Sequence, residues 1–238
     1  RSSAIAGNRV SFAPIVKRPF PSSRMTKSCE HMFTLDAVQR SKLARALHRL
    51  AEPERRWVSF QFLSSNEVAC LAALANSQAF RRAKSEVSNK QGRVFQDFEV
   101  CFPAPRVDVF DRFASALEIG LYEAGQKLKT PPFASPFSFN DFAIQRYAPG
   151  SGGIGIHRDA KRYEQIVVIV NLAGRSRLFA TNDRSGSHRR AINDQPGRIV
   201  LLSATGFAGR KNDNARPLHG VDHVHKGRLS LGFRVDAK

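Results

Sequence analysis

The chain has 238 residues, of which 42% are hydrophobic, enough for one large catalytic domain with a sizeable core. No run approaches the roughly 18 apolar residues of a membrane-spanning helix, which argues against a membrane-embedded protein. The net charge is +18, from 38 Lys and Arg against 20 Asp and Glu. A surface this positive attracts polyanions, and nucleic acid is the commonest candidate.

Residues 1–30 are rich in Ser, Arg and Pro and are predicted to form a basic flexible arm. The same composition also fits an organellar transit peptide, so both interpretations stand. Residues 1–29 hold six basic and no acidic residues, and removing those six charges from +18 leaves +12. The arm therefore does not explain the charge, which belongs mainly to the single domain predicted over residues 31–238.

The cysteine content bears on the cellular compartment. Cys29, Cys70 and Cys101 are an odd number, are scattered and lack the C-x-x-C spacing. This pattern argues against a disulfide framework and against a zinc site. It predicts an intracellular, reducing compartment, either cytoplasmic or, if the arm is a transit peptide, organellar.

Three helices are predicted in the first half of the chain. The apolar spacing from residue 34 to residue 50 indicates a helix that ends before Pro53. Ser64 and Glu67 stand at capping-box spacing and predict the start of a second helix. A third helix is predicted at about residues 107–128, after a loosely alternating strand over residues 93–102.

From Phe137 onward the chain becomes a series of short strands broken by Gly, Asn-Asp and Pro-Gly turns. Residues 166–170 are apolar throughout, which predicts a central core strand. Helices over residues 34–128 followed by strands over about 137–236 indicate an α+β fold: a double-stranded β-helix (a jelly-roll or cupin-like core) with the helices packed on one sheet. The predicted strands are 141–147, 154–159, 165–172, 177–180, 198–203 and 228–235.

His157 and Asp159 stand at positions i and i+2 and project to the same side of an extended backbone. A third imidazole from the cluster His219, His223 and His225 can complete a set of two His and one carboxylate. That set is the facial triad of non-haem Fe(II) oxygenases, which leaves coordination positions open for co-substrate and dioxygen. His48 and His188 are predicted to face solvent.

The strand at residues 228–234 carries Leu229, Leu231 and Phe233 on one face. The other face presents two guanidiniums, and buried guanidiniums require anions. A dicarboxylate bound beside the metal would supply them, held by the planar fork of Arg. The alternative is an edge strand whose arginines reach solvent.

Four blocks occur in one order: Gln-Arg-Tyr-Ala-Pro-Gly at 145–150, His-Arg-Asp at 157–159, Arg-Pro-Leu-His-Gly-Val at 216–221 and Arg-Leu-Ser-Leu-Gly-Phe-Arg at 228–234. Together they resemble the AlkB-like branch of the 2-oxoglutarate/Fe(II)-dependent dioxygenase superfamily. The resemblance is clearest over residues 139–236. Gln145 stands where members of that branch usually carry Asn.

The resemblance implies Fe(II) as cofactor, 2-oxoglutarate as co-substrate and the same jelly-roll fold. It favours His219 as the distal ligand, with His223 or His225 as the alternative. It implies that Gln145 and Tyr147 hydrogen-bond the 2-oxoglutarate carboxylates, although Tyr147 could instead pack in the core. The far carboxylate would bind Arg228, assisted by Ser230, and Arg234 would lie near the keto-acid end.

The implied reaction consumes dioxygen and hydroxylates or oxidatively demethylates a substrate, with release of succinate and CO2. The charge favours nucleic acid as substrate, with the basic loops 184–190 and 210–216 beside the site mouth. One alternative keeps the chemistry and changes the target to a protein side chain or a small metabolite. Another is a jelly-roll binding module without catalysis.

Overall fold

The computed structural model describes residues 33–89 and 92–237. The basic arm predicted for residues 1–30 lies outside the described residues. No helix in the described part of the chain is both long and apolar enough to cross a membrane. Cys70 is disulfide-bonded in the structure, so the expectation of cysteines without a disulfide is wrong for this residue. The predicted reducing compartment stays a prediction.

Three α-helices precede most of the strands: α1 (Ala37–Ala51), α2 (Ser65–Asn76) and α3 (Asp108–Gln126). The predicted capping box at Ser64 and Glu67 is present, with each side chain accepting from the backbone N–H of the other residue. An equivalent box, which the sequence analysis did not predict, starts α1 at Asp36. All three helices therefore lie within a few residues of their predicted bounds.

The described strands form two antiparallel sheets. One has seven strands in the order β1-β11-β8-β13-β6-β5-β2, and the other has six in the order β10-β9-β12-β7-β4-β3. The strands are β1 (Trp57–Gln61), β2 (Arg81–Arg82), β3 (Glu86–Asn89), β4 (Gly92–Asp97), β5 (Glu99–Cys101), β6 (Asp141–Tyr147), β7 (Gly153–His157), β8 (Tyr163–Gly174), β9 (Arg177–Thr181), β10 (Arg190–Ile192), β11 (Arg198–Ser203), β12 (Leu218–Asp222) and β13 (Arg228–Asp236).

Two hydrophobic clusters hold the helices and the two sheets together. In the first, helix residues such as Leu43, Phe113 and Leu117 pack with residues of β8, β11 and β13, so the helices cover one face of the seven-stranded sheet. The second contains Val167 of one sheet and Val221 of the other and lies between the two sheets. This is the predicted double-stranded β-helix with helices on one sheet, and the fold class is confirmed.

The strand β13 is the middle strand of the larger sheet, hydrogen-bonded to β8 and β6. The interpretation of residues 228–234 as an edge strand with arginines in solvent is therefore wrong, since Arg228 is only 3% exposed. The apolar run at 166–170 lies within β8, next to β13, which confirms its prediction as a core strand.

The strand predicted over residues 93–102 is divided in the structure. β4 pairs with β7 in the smaller sheet, while β5 pairs with β6 in the larger one, so the chain changes sheets at Phe98. β1 and β12 were also not predicted as strands from the sequence. β12 contains a His, a Gly and an Asp in five residues, so it lacks the β-branched alternation that marks a strand.

Candidate active site

His157 and His219 are direct cross-strand partners on β7 and β12, and their ring centroids are 4.4 Å apart. Asp159 follows two residues after His157, just beyond the end of β7. One potential ligand atom from each of the three residues lies within 4.8 Å of the others. Within residues 33–89 and 92–237, no other group of three His, Cys, Asp or Glu side chains meets this condition.

The two imidazoles are oriented by backbone carbonyls. Nδ1 of His157 hydrogen-bonds the Gly155 carbonyl at 2.9 Å, and Nδ1 of His219 hydrogen-bonds the Pro217 carbonyl at 3.2 Å. Both Nε2 atoms are thereby left as ligands, and that of His219 lies 3.7 Å from Oδ2 of Asp159. Two imidazole nitrogens and a carboxylate on one side fit a divalent transition metal.

The protonation state also suits metal binding. Burial, together with the neighbouring His219, lowers the pKa of His157 to about 4. His157 is therefore neutral near pH 7, the form that ligates a metal. The pKa of Asp159 is lowered by His219 and Arg234, although burial opposes this, so its carboxylate is ionised.

The alternative distal ligands lie elsewhere. His223 and His225 are exposed in the turn after β12, with their ring centroids 5.8 Å apart, and neither belongs to the ligand group. His48 and His188 are exposed, as predicted. The structure thus brings His219, and not its two neighbours, to His157 and Asp159.

Arg216 has a position that the sequence analysis did not predict. Its side chain is 3% exposed and donates to the carbonyl of Asp159 and to the carboxylate of Asp213. Nε of Arg158 donates back to the Arg216 carbonyl at 3.1 Å. Arg216 therefore ties the loop carrying Asp159 to the loop before β12 and is not free to contact a phosphate at the mouth.

Arg234 lies at the metal end of β13. Its Nε is 3.7 Å from Oδ1 of Asp159, and its Nη1 donates to Asp141 at 3.1 Å. Tyr163 also donates to Asp141, at 2.8 Å. Gly232 leaves room for this arrangement, because a Cβ there would lie 3.2 Å from Nη2 of Arg234. Asp141 thus supplies part of the counter-charge of Arg234 from within the protein.

Arg228 lies at the opposite end of the same strand face. Its side chain is 1% exposed, and its Nη1 forms an ion pair with Asp194 and donates to Ser176 at 3.2 Å. Its Nε is buried without a hydrogen-bond partner. Burial lowers the pKa of Arg228 to about 10, which still leaves the guanidinium charged at neutral pH. The partner Asp194, 34 residues away in the chain, was not predicted from the sequence.

Gln145 and Tyr147 lie beside these groups because β6 pairs with β13. Arg228 is opposite Tyr147, and Ser230 is opposite Gln145. Tyr147 is 3% exposed and packs against Phe98, with ring centroids 4.9 Å apart. Burial raises its pKa to about 12, so the hydroxyl keeps its proton and can donate.

Two cavities meet at the metal-ligand group. The inner cavity is lined by all three ligand residues together with Gln145, Tyr147, Arg228 and Arg234. The outer cavity, of about 480 Å³, shares His157, Asp159, Gln145 and Arg234 with it and opens to the surface. A ligand in the inner cavity would therefore have the metal group at one end and Arg228 at the other.

The predicted basic loops only partly flank this opening. Arg184 donates to the Ile156 carbonyl on β7 at 3.4 Å, which puts residues 184–190 beside the site. Arg210, by contrast, donates to the carbonyls of Leu50 and Glu52 at the end of α1. The wall of the outer cavity instead includes Arg81, Lys84, Arg158 and Arg162.

Solved structures with this fold include several oxygenases. The Pseudomonas putida prolyl-4-hydroxylase is 17% identical, with a TM-score of 0.54, over 82% of this chain and 98% of that one. A Trichoplax adhaerens prolyl hydroxylase, solved with a hypoxia inducible factor peptide fragment, is 14% identical, with a TM-score of 0.58, over 86% and 95%. A 2OG-Fe(II) oxygenase family oxidoreductase from Burkholderia pseudomallei is 15% identical, with a TM-score of 0.53, over 82% and 91%.

These chains share the fold. At such low identity, the similarity supports the architecture alone. No protein-family model and no curated protein sequence matches the chain.

Proposed function

We propose that this protein is an Fe(II)- and 2-oxoglutarate-dependent dioxygenase. The observation that carries the proposal is one inner cavity with two complementary ends. At one end, two imidazole Nε2 atoms and the Asp159 carboxylate can hold a divalent metal. At the other end, Arg228 is charged and buried, with an Nε that has no partner. In this proposal a dicarboxylate lies between them, with its keto-acid end on the metal and its far carboxylate at Arg228.

In this proposal His157, Asp159 and His219 hold Fe(II), and Arg228 and Ser230 bind the far carboxylate of 2-oxoglutarate. The loaded centre would supply the oxidising power that hydroxylates a substrate C–H bond, with release of succinate and CO2. The protonated hydroxyl of Tyr147 and the amide of Gln145 would donate to the co-substrate carboxylates. Arg216 would keep the Asp159 loop in position through the Asp159 carbonyl.

For the substrate, we propose nucleic acid, as in the AlkB-like branch that the sequence motifs resemble. The outer cavity supports this choice. Apart from Asp159, the described residues along its wall include no acidic side chain, whereas Arg81 and Lys84 are exposed there. Phe102, 39% exposed, also lines it and could stack on a base. The wall thus combines phosphate-binding cations with an aromatic surface.

A protein side chain is the second candidate substrate. The Trichoplax adhaerens prolyl hydroxylase with this fold was solved with a peptide fragment bound. The motif order supports the AlkB-like branch, and the fold is common to both groups of enzymes. A peptide substrate would therefore require no change in the metal centre and would differ only in what the outer cavity accepts.

Succinate formation from 2-oxoglutarate with Fe(II) and ascorbate tests the reaction. We expect turnover above background with the wild-type protein and none with His157→Ala. Absence of succinate with Fe(II), combined with retained metal binding, would contradict the oxygenase and favour a binding module. A screen of methylated single-stranded oligonucleotides against a peptide library, scored by stimulation of succinate release, separates the two substrate classes.

A further inference from the structure

The buried pair Arg228–Asp194 is not explained by the proposed reaction. A co-substrate carboxylate would meet a guanidinium whose charge is already balanced by Asp194, since the two side chains are 1% and 8% exposed. A buried arginine needs an anion, and the sequence alone pointed to a dicarboxylate in that role. Within the protein, Asp194 already provides that anion.

The backbone around Asp194 is anchored by hydrogen bonds to Asn171. Nδ2 of Asn171 donates to the Asp194 carbonyl at 2.6 Å, and the Asn171 carbonyl accepts from the Gly197 backbone N–H at 2.8 Å. Asn171 in turn is the β8 partner of Ser230 on β13, two residues from Arg228. The loop that carries Asp194 is therefore anchored on the same sheet as Arg228.

The guanidinium separates two cavities. Arg228 lines the inner cavity, whereas its partners Ser176 and Asp194 line a different cavity of about 630 Å³. Asp194 thus approaches Arg228 from the side away from the metal ligands and does not fill the inner cavity. A carboxylate arriving from the metal side would leave two anions facing one cation, and the two carboxylates would repel each other.

We propose that Asp194 is the resident counter-ion of Arg228 and that it weakens the binding of the co-substrate by competing for the same guanidinium. This rests on the proposed function, in which Arg228 binds the far carboxylate of 2-oxoglutarate. Asp194 stabilises the protein without co-substrate, because a buried guanidinium without an anion is unfavourable. It also reduces the preference of the site for a dianion over a monoanion.

The critical variant is Asp194→Asn, which keeps an oxygen that can accept from Nη1 of Arg228 and removes the negative charge. We expect this variant to bind 2-oxoglutarate about ten-fold more tightly than the wild type, since one repulsive charge is gone. We expect the metal-free variant to melt at a lower temperature. A residue with a purely structural role would lower both the stability and the affinity.

The measurement is calorimetric titration of 2-oxoglutarate into the Mn(II)-loaded protein, together with thermal unfolding of the metal-free protein. Ser176→Ala is one control, because it removes a hydrogen bond to the same Nη1 without a change of charge. Glu123→Gln is another, because it removes one negative charge from an exposed position on α3. We expect both controls to stay within two-fold of wild-type affinity.

A second measurement needs no variant. In the wild type we expect 2-oxoglutarate to bind less than about ten-fold more tightly than 2-oxopentanoate, which lacks the far carboxylate, since Asp194 offsets the charge of Arg228. A preference of several hundred-fold, or unchanged or weaker binding of 2-oxoglutarate by Asp194→Asn, would overturn the inference while leaving the oxygenase intact. If neither protein binds 2-oxoglutarate with Mn(II), the proposed function fails as well.

Discussion

At the scale of single residues, the site depends on a cross-strand pair. His157 and His219 lie opposite each other on β7 and β12, and a β-bulge follows His219. A bulge next to a site changes the direction in which a side chain points. Gly220 is needed there, because a Cβ would lie 2.8 Å from the ring of Phe179 and 2.9 Å from the Ile154 carbonyl. The two imidazole ligands are thus positioned by sheet pairing, whereas Asp159 lies just beyond the end of β7.

Replacement of His219 by Ala should abolish metal binding and turnover, since only Asp159 and His157 would remain. Metal content after dialysis against Fe(II) or Mn(II), measured by mass spectrometry, tests this. His225→Ala is the matched control, because His225 is exposed and outside the ligand group. Retained metal in His219→Ala with loss in His225→Ala would mean that the assigned ligand is wrong.

Replacement of Arg228 by Met should weaken 2-oxoglutarate binding. The substitution removes a buried charge-assisted hydrogen bond and also leaves the Asp194 carboxylate unpaired beside that of the co-substrate. Together these effects should cost about 2–3 kcal/mol, which is roughly a 30- to 150-fold change in the dissociation constant. The dependence of succinate formation on 2-oxoglutarate concentration measures it. Arg146→Met on neighbouring β6 is the control, because Arg146 pairs with Glu99 at a half-exposed position. An unchanged affinity in Arg228→Met would rule out Arg228 as the anchor.

At the scale of elements, β13 joins the chemistry to the core. One face of the strand carries Arg228 and Arg234, and the opposite face carries Phe233. Phe233 is fully buried and stacks on Phe142 of β6, with ring centroids 4.5 Å apart and an interplanar angle of 6°. It also contacts Phe113 of α3, at 5.9 Å. The helix layer therefore holds in place the strand that carries both arginines.

Truncation of Phe233 to Ala should lower the free energy of unfolding by about 3–5 kcal/mol, as expected for a large aromatic side chain removed from a packed core. Urea denaturation followed by circular dichroism measures it. Ile119→Ala on α3 is the control: Ile119 is 56% exposed, and its loss should change stability by less than about 0.5 kcal/mol. Equal effects of the two substitutions would contradict the packing of α3 on β13.

At the scale of the whole molecule, the dominant property is the net charge of +18. Many of the described arginines are neutralised locally, as in the pairs Arg106–Glu118 and Arg177–Asp222. Arg81 and Lys84, at the outer cavity, form no ion pair with any described residue. A second group without ion pairs in the described residues lies in a groove between α1 and β1, and it includes Lys42 and Arg45.

These two groups allow a test of where nucleic acid binds. We expect labelled single-stranded DNA to bind with an affinity that falls steeply with salt, as phosphate contacts require. The double variant Arg81→Ala/Lys84→Ala should reduce the log–log salt slope by about 1.4, since each lost phosphate contact contributes about 0.7 for a single strand. Fluorescence anisotropy over a salt series measures it.

The matched control is Lys42→Ala/Arg45→Ala, which removes the same charge from the opposite edge of the larger sheet. Equal loss in both double variants would indicate binding by general charge and not at the outer cavity. No binding even at low salt would favour a protein side chain or a metabolite as substrate and would leave the oxygenase chemistry unaffected.

Local patterns in the sequence were sufficient for the fold class and for part of the site. The apolar run at 166–170, the capping box at Ser64 and the alternation at 228–234 depend on neighbours in the chain, and the structure has all three. The i, i+2 spacing of His157 and Asp159 is likewise local. These features could be predicted because period and capping chemistry act over a few residues.

Tertiary structure decided everything that depends on residues distant in the chain. The family resemblance favoured His219 over His223 and His225, and the pairing of β12 with β7 decided between them, since all three lie within seven residues of one another. Arg216, expected at the mouth, is instead buried against the Asp159 loop. Asp194 and Asp141, the partners of Arg228 and Arg234, lie 34 and 93 residues away. A buried charge selects its partner by proximity in the folded chain, and no sequence period encodes that proximity.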